Sequence, residues 1–389
     1  MKNQICLLAM LLACCTVAGQ TVNMSRQRYR LSKSDFVDTI PIVVDRWQQV
    51  LIPVTIQGRQ RYFKLDTGSG FGVLYAGGAI RPQRELGLVR SVDGSGLQTM
   101  VRVVKLPPFS IGSLQVSDYA MTEAPSSVLS HSFGHDGILG FAFFNQGLSA
   151  KIDFARRRLI ITDRRRFFDR ELGHRVKYRV FHFAPYVWTS PVPGLRLNTL
   201  FDTGCSELFL LGHADYVSNA PALGQVVTEH TQGRSAIANH GVERHNDVAF
   251  LHIDRLLLGN TALTDVESRT YQGTTSLGRQ LLQYGSLVIV PHRGQFIFQP
   301  YAPTDTIAVG NTQPDIFYVP QGPHASVGLI RSTSPWYQAG LRQADVILRI
   351  DGRDVDFHSY TNFHWVLGRR YILDVQDAEG AVRKVEITR

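Results

Sequence analysis

Two aspartates of this chain, Asp66 and Asp202, sit in near-identical surroundings: FKLDTGSGFGVL at residues 63–74 and LFDTGCSELFLL at residues 200–211. A lone Asp-Thr-Gly says little, because Asp and Gly are what ordinary turns use. Two copies in one chain admit a definite chemistry. Carboxylates held about 3 Å apart cannot both ionise cheaply, so they share one proton and titrate as a pair with separated pKa values. The ionised member can take a proton from a water lying between them while the protonated member polarises a carbonyl, so that water adds and a tetrahedral intermediate forms. This chemistry needs no metal, cofactor, thiol or serine nucleophile. The neighbours have matching reasons. Gly68 and Gly204 let backbone amides approach and donate to the carboxylates, and the Thr67 and Thr203 hydroxyls can each brace the loop of the opposite half.

The elements that must position these loops are repeated too. Asp66 is followed 74 positions later by Gly140, in Ile138-Leu139-Gly140, and Asp202 is followed 76 positions later by Gly278, in Ser276-Leu277-Gly278. After each glycine comes a hairpin-like strand pair, residues 151–154 with 159–161 and residues 287–290 with 295–298. Before each aspartate comes another pair, with Gly58 in the first turn and Pro193-Gly194 in the second. Matched order on this scale argues for two lobes related by a pseudo-twofold axis. Short strands punctuated by Gly, Pro, Asp and Asn, with few long amphipathic helices, make both halves all-β. From about residue 307 the pattern changes. Ser334-Pro335 to Gly340-Leu341 suits a short helix with Pro near its start and Gly at its end. Asp345 to Gly352 reads as an alternating strand closing in an Asp-Gly turn.

The 389 residues are 44% hydrophobic and 19% charged, the balance of a globular protein with two or three compact units. The formal charge of +9 includes a cluster at Arg156, Arg157, Arg158, Arg164, Arg165 and Arg166. It reads as a solvated surface and not a nucleic-acid site, because no aromatic stacking motif or recognition helix accompanies it. Residues 1–19 read as an export signal: one lysine, an apolar core too short for a comfortable membrane span, then small residues. Two processing readings stay open. Val17-Ala18-Gly19 suits cleavage to a soluble periplasmic or secreted protein, whereas Leu11-Leu12-Ala13-Cys14 resembles a lipobox that leaves Cys14 lipidated as an outer-membrane-associated lipoprotein. Cys6, Cys14 and Cys15 lie in the signal, so Cys205 alone remains and no internal disulfide can staple the fold.

The paired motifs, with their downstream apolar-apolar-Gly segments, resemble the bilobal, pepsin-like aspartic proteases in a compact bacterial form over residues 45–300. The resemblance implies an aspartic-type endopeptidase with Asp66 and Asp202 catalytic. Thr67, Gly68, Ser69, Thr203, Gly204 and Cys205 would support the catalytic loops, and Gly140 and Gly278 would cross beneath them. It also implies a β-hairpin flap over the cleft, for which residues 91–99 are the candidate, with Asp93, Gly94, Ser95 and Gly96 as a mobile tip. The C-terminal unit, 307–389, resembles a PDZ domain of the bacterial protease type, a module that binds extended peptides or C-termini by strand addition. Gly328, Leu329 and Ile330 are its nearest peptide-binding candidates. The expected organisation is a signal at 1–19, an N-terminal segment at 20–44, lobes at 45–163 and 164–300, and the PDZ unit. The expected partners are a protein or peptide substrate and a C-terminal peptide at the PDZ unit. A monomer is expected, because both motifs lie in one chain, which disfavours a dimeric retropepsin-like enzyme.

The family places Ser or Thr after each Gly, its hydroxyl bonding a catalytic carboxylate. Ser69 fits and Cys205 departs, which implies a less firmly held Asp202; apart from that, Cys205 reads as a small buried residue. His131 and His135, beside Asp136, have metal-pair spacing without a helix or a third ligand, and read as surface or cleft-rim residues. His230, His240, His245 and His252 have no ligand spacing. Trp336 reads as core. A peptide-binding scaffold on a protease-like fold is the competing function.

Overall fold

A computed structural model describes residues 21–125, 134–310 and 314–389. The expected signal, residues 1–19 with Cys6, Cys14 and Cys15, and also His131, lie outside the described residues. Among the described residues no helix is long and apolar enough to cross a membrane. The chain is mainly β, with two lobes followed by a smaller α+β unit.

Each aspartate ends a hairpin strand. Val50–Ile56 pairs antiparallel with Arg59–Asp66, and the turn between them, Gln57-Gly58, has φ of +52° and +71°. Two left-handed residues in a two-residue connection twist the hairpin in the hand its strands prefer. In the second half Ala184–Ser190 pairs with Leu197–Asp202 in the same way. Both aspartate strands then gain a parallel neighbour. Gly137–Gly140 lies beside the first with Gly140 opposite Asp66, and Ser276–Gly278 lies beside the second with Gly278 opposite Asp202. The near-equal spacings in the sequence are therefore a register. Each short strand also pairs antiparallel with the strand leaving the aspartate loop, Gly72–Tyr75 or Phe209–Gly212.

One sheet joins the halves. The hairpins Ser149–Asp153/Arg158–Thr162 and Gly285–Val290/Gln295–Pro300 meet through their first strands, with Ala150 opposite Ile289 and Ile152 opposite Leu287. Val37–Pro41 flanks the first hairpin and His174–Phe181 the second, so the strand order reads the same from either end. Alternate residues Ala150, Ile152, Leu159, Ile161, Leu287, Ile289, Phe296 and Phe298 turn into one core shared by both lobes. Burying each larger one contributes about 1.5–3 kcal/mol. Within the N-terminal segment, 20–44, Val37–Pro41 belongs to the joining sheet and Arg30–Leu31 pairs with Leu114–Ser117. Two residues of the arginine cluster have a structural role, because Arg156 Nη1 and Arg158 Nε pair with the fully buried Asp153 at 3.2 and 3.1 Å.

The third unit is a sheet in the order Ile316–Gln321, His324–Ile330, Val346–Ile350, Arg370–Gln376, Val382–Thr388, with Arg353–Asp354 beside Val346–Ile350. Two short helices accompany it: Pro335–Gln338, capped by Ser334, and Phe357–Thr361, opened by an Asp356/Ser359 capping box. It has its own core around Val327, Leu341, Ile347, Tyr371 and Val385, and Trp336 packs half-buried against that core, edge-on to Trp365. The expected start at 307 falls inside the second lobe, since Thr306–Ala308 pairs with Thr261–Tyr271 and Ile307 and Val309 join the lobes' core. The unit docks on that lobe. Leu329 and Phe317 pack with Val248 and Phe250, and the Arg234 N–H donates to the Gly328 carbonyl at 2.8 Å.

Candidate active site

The two Asp-Thr-Gly loops face each other across the pseudo-twofold axis. The Thr67 N–H donates to Thr203 Oγ1 and the Thr203 N–H to Thr67 Oγ1, both at 3.0 Å. Each hydroxyl then donates onward, Thr67 to the Phe201 carbonyl at 2.7 Å and Thr203 to the Leu65 carbonyl at 3.0 Å. Both threonines are buried, so this closed exchange leaves no orphaned polar group where water could not repair it. Gly68 rests against the Asp202 carboxyl and Gly204 against the Asp66 carboxyl, and a Cβ on either would overlap the opposite carboxylate. Gly140 and Gly278 pass beneath the loops, where a Cβ would strike the Phe71 and Glu207 carbonyls respectively. The crossing is tied in matched fashion: the Phe141 N–H donates to the Ser69 carbonyl at 2.8 Å and the Arg279 N–H to the Cys205 carbonyl at 3.0 Å.

The carboxyl groups of Asp66 and Asp202 face each other, each lying against the glycine of the opposite loop and perturbing the other's ionisation. Their surroundings differ. Asp66 Oδ1 accepts from the Ser69 N–H at 3.0 Å, while its Oδ2 lies 3.1 Å from Lys64 Nζ, with both side chains nearly buried. Asp202 Oδ1 accepts the backbone N–H groups of Gly204 at 2.8 Å and Cys205 at 3.2 Å. Burial works against ionisation at Asp66, but the Lys64 charge, hydrogen bonds from Lys64 and Asp202, and the Ser69 N–H outweigh it and hold the carboxyl below its usual range. At Asp202 burial and then the Asp66 charge dominate, and its carboxyl is pushed up to about 7 against the smaller pull of Lys64 and the Gly204 N–H. The pair is built to hold one proton.

The contrast between Ser69 and Cys205 takes a different form from the one the family pattern suggests. The Ser69 hydroxyl donates to the Phe71 carbonyl at 2.6 Å, not to Asp66, and both carboxylates are served by the backbone N–H of the residue that follows the glycine. Replacing hydroxyl by thiol therefore removes no bond to Asp202. The Cys205 thiol lies 3.6 Å from Glu207 Oε2, and burial, Glu207 and Asp202 together raise its pKa well above that of an ordinary thiol. It stays protonated. Glu207 is paired in turn with the fully buried Arg269 at 3.0 Å.

Several side chains at the site had no signal in the duplicated motifs. Lys64 lies two residues before Asp66 on a strand, hence on the same face, and strand parity was the signal that could have pointed to it. Arg279 follows Gly278 and clamps the Asp202 loop to the first lobe, donating through Nη1 to the Gly204 carbonyl at 2.9 Å and through Nη2 to the Trp47 carbonyl at 2.8 Å. Tyr75 is close enough for the Asp66 charge to raise its phenol further, after burial. His135, expected at a surface or cleft rim, is instead buried against the Tyr75 ring, 5.4 Å between centroids. Burial and then the nearby Lys64 charge push it down to about 3, so it is a neutral wall of the site. Its neighbour Asp136 turns away to Arg61 and the Tyr62 N–H. Among the described residues no cluster of three or more His, Cys, Asp or Glu could hold a metal ion.

The flap candidate is a hairpin, Arg84–Val92 with Gln98–Lys105, and its tip is docked on the second lobe. Asp93 Oδ1 accepts from the Ser95 N–H and hydroxyl and from the Leu97 N–H, at 3.0, 2.7 and 3.1 Å. The remaining oxygen of Asp93 accepts the His240 N–H of the second lobe at 2.6 Å, and the His240 ring reaches Ser91 Oγ at 2.9 Å. Gly94 and Gly96 lie against Gly273 and the Gln272 carbonyl, and Ser95 is buried. A turn-forming aspartate has two oxygens, and the second one reaches across the lobes. Gly328, Leu329 and Ile330 are likewise relocated. They lie on an interior strand of the third unit's sheet, with Leu329 packed against the second lobe and Ile330 in the third unit's core. The pairing of that strand with Val346–Ile350 covers only Ala325 and Ser326, and Gly328 is met instead by Gly233 and Arg234 of the second lobe; among the described strands of that sheet, Ile316–Gln321 is the edge beside it.

No family model and no curated protein matches the chain. Among solved structures the chain is similar to basic 7S globulin from soybean, at 11% identity over 68% of this chain and 94% of that one, with a TM-score of 0.41.

Proposed function

We propose that this protein is an aspartic-type endopeptidase. The observation that carries the reading is the pair of facing carboxyls, Asp66 and Asp202, each against the glycine of the opposite loop, on loops braced across two lobes by the threonine exchange. A water between the carboxyls gives up a proton to the ionised member while the protonated member donates to the scissile peptide oxygen. The water oxygen bonds to the carbonyl carbon, the tetrahedral intermediate collapses as a proton reaches the nitrogen, and an acid and an amine leave. The substrate is an extended or unfolded polypeptide. The third unit acts as a PDZ-type module that takes a peptide strand or C-terminus, and Ile316–Gln321 is the edge such a peptide would extend. Residues 1–19 direct the chain out of the cytoplasm, to the periplasm, the outer membrane or the medium.

Cleavage of a denatured-protein or peptide library by the wild type, by Asp66→Asn and by Asp202→Asn tests this, with inhibition by a pepstatin-type analogue as a second readout. Loss of at least about 10³-fold in both variants is expected, and equal activity in all three proteins overturns the mechanism. The Lys64–Asp66 ion pair favours a second reading, a peptide-binding scaffold whose carboxylate is satisfied by a lysine. That reading predicts binding without turnover.

A further inference from the structure

The pseudo-twofold that relates the lobes is broken by a charge at Lys64, beside the carboxyls. The parallel ladders set Lys64 opposite Ile138 just as they set Leu200 opposite Ser276, each two residues before its aspartate. The second lobe thus has an apolar side chain where the first has an ammonium. Lys64 Nζ lies 3.1 Å from Asp66 Oδ2, and its side chain is only 14% exposed. A buried ammonium needs a counter-charge, and Asp66 supplies it.

We infer that Lys64 is a positioning residue that assigns the two roles of the dyad, keeping Asp66 as the carboxylate that accepts the water proton and leaving the shared proton on Asp202. The inference rests on the endopeptidase reading for its catalytic meaning, whereas the assignment of the proton starts from the 3.1 Å contact of Lys64 with Asp66. An ion pair is strongest with the charge that lies nearest, and Lys64 contacts Asp66. The other charged or titratable groups around the ammonium do not compete. His135, from the segment entering Gly137–Gly140, is neutral. Tyr75, from Gly72–Tyr75, is a phenol raised beyond its ordinary range. Asp202, from the opposite loop, feels the Lys64 charge less than it feels burial and the Asp66 charge, which raise it. The monoprotonated dyad and Lys64 together are electrically neutral, so a substrate carbonyl meets a site with no net charge and an acid already oriented.

The test uses the full-length protein with Lys64→Met and Lys64→Arg. Carboxyl-carbon NMR of aspartate-labelled protein follows the two titrations directly, with Asp66→Asn and Asp202→Asn to assign the signals, and kcat/KM against pH on a peptide substrate follows their consequence. In Lys64→Met the Asp66 titration and the acid limb of kcat/KM are expected to move up together by at least about one pH unit, while Lys64→Arg keeps both near the wild type. A folded Lys64→Met protein with an unmoved Asp66 titration overturns the inference. A wild type that titrates as expected but cleaves nothing overturns the endopeptidase reading and leaves the proton assignment standing. If Lys64→Met does not fold, Lys64→Gln carries the same comparison, and an Asp66 that titrates above Asp202 in the wild type is by itself sufficient to reject the assignment.

Discussion

Thr67 and Thr203, one from each half of the chain, each donate a backbone N–H to the other's hydroxyl at 3.0 Å, and this reciprocal pair is what holds the two aspartate loops at one separation. Thr67→Val or Thr203→Val removes an acceptor and leaves a buried N–H of the opposite loop unpaired. Each is expected to cost about 1–3 kcal/mol by denaturant titration. The double variant should cost clearly less than the sum, because both substitutions break one network. Strict additivity would show that the exchange does not couple the lobes.

The glycines beside the carboxyls should be far less tolerant than those in open turns. Gly68→Ala and Gly204→Ala place a methyl where the opposite carboxylate lies, and peptidase activity is expected to fall at least about 100-fold as the dyad is forced apart. Gly58→Ala meets no neighbour within 4 Å and strains only a φ of +71°. It should lower stability by about 1 kcal/mol and leave kcat intact. Comparable kcat losses at all three positions would contradict this geometry.

The two carboxyls set both limbs of the pH profile. Activity should need Asp66 ionised and Asp202 protonated, so the acid limb lies below the usual carboxylate range and the basic limb near 7. Stability follows Asp202 with a definite sign. A carboxyl whose folded-state pKa is raised contributes stability fully present below its unfolded value, 3.8, and lost as pH rises through about 7. Asp202→Asn removes that loss, so its Tm relative to the wild type should climb between these pH values and then level off. A Tm difference independent of pH would contradict the raised Asp202.

Docking of the hairpin tip is the easiest contact to loosen. Asp93→Ala deletes the three bonds that shape the turn and the one that accepts the His240 N–H. Hydrogen exchange at the Ser95 and Leu97 amides is expected to accelerate at least about tenfold, with the strands Arg84–Val92 and Gln98–Lys105 little changed. Unchanged exchange at the tip would mean that packing against Gln272 and Gly273, and not Asp93, holds it down.

The third unit should be a partner in the second lobe's stability. Leu329 is buried with Val248 and Phe250, which belong to that lobe, so Leu329→Ala is expected to cost about 2–5 kcal/mol. It should also lower the unfolding midpoint of the second lobe, followed by exchange at the Val248 and Phe250 amides. If only the third unit's own amides respond, the contact adds nothing to the lobe.

The sequence alone determined the duplication, because an Asp-Thr-Gly turn, an apolar-apolar-Gly strand and a hairpin recur in the same order at nearly the same spacing, and strand register turns equal spacing into equal placement. It likewise carried the mainly β, two-lobed architecture and the bracing role open to Thr67 and Thr203. Tertiary structure alone decided what long or branching side chains do once their strands are set. Lys64 has several rotatable bonds and could have reached solvent; the wall formed by His135 and Tyr75 and the charge of Asp66 keep it inside. Asp93 shapes its own turn through one oxygen, yet the use of its second oxygen depended on His240, which is remote in the chain. Ser69 and Cys205 differed in the sequence by their side chains, and the fold made that difference small by serving both carboxylates from the backbone. Gly328, Leu329 and Ile330 carried a strand pattern that could not say whether their strand lay inside the sheet or at its edge, because alternation fixes which face a residue takes but not which strands flank it.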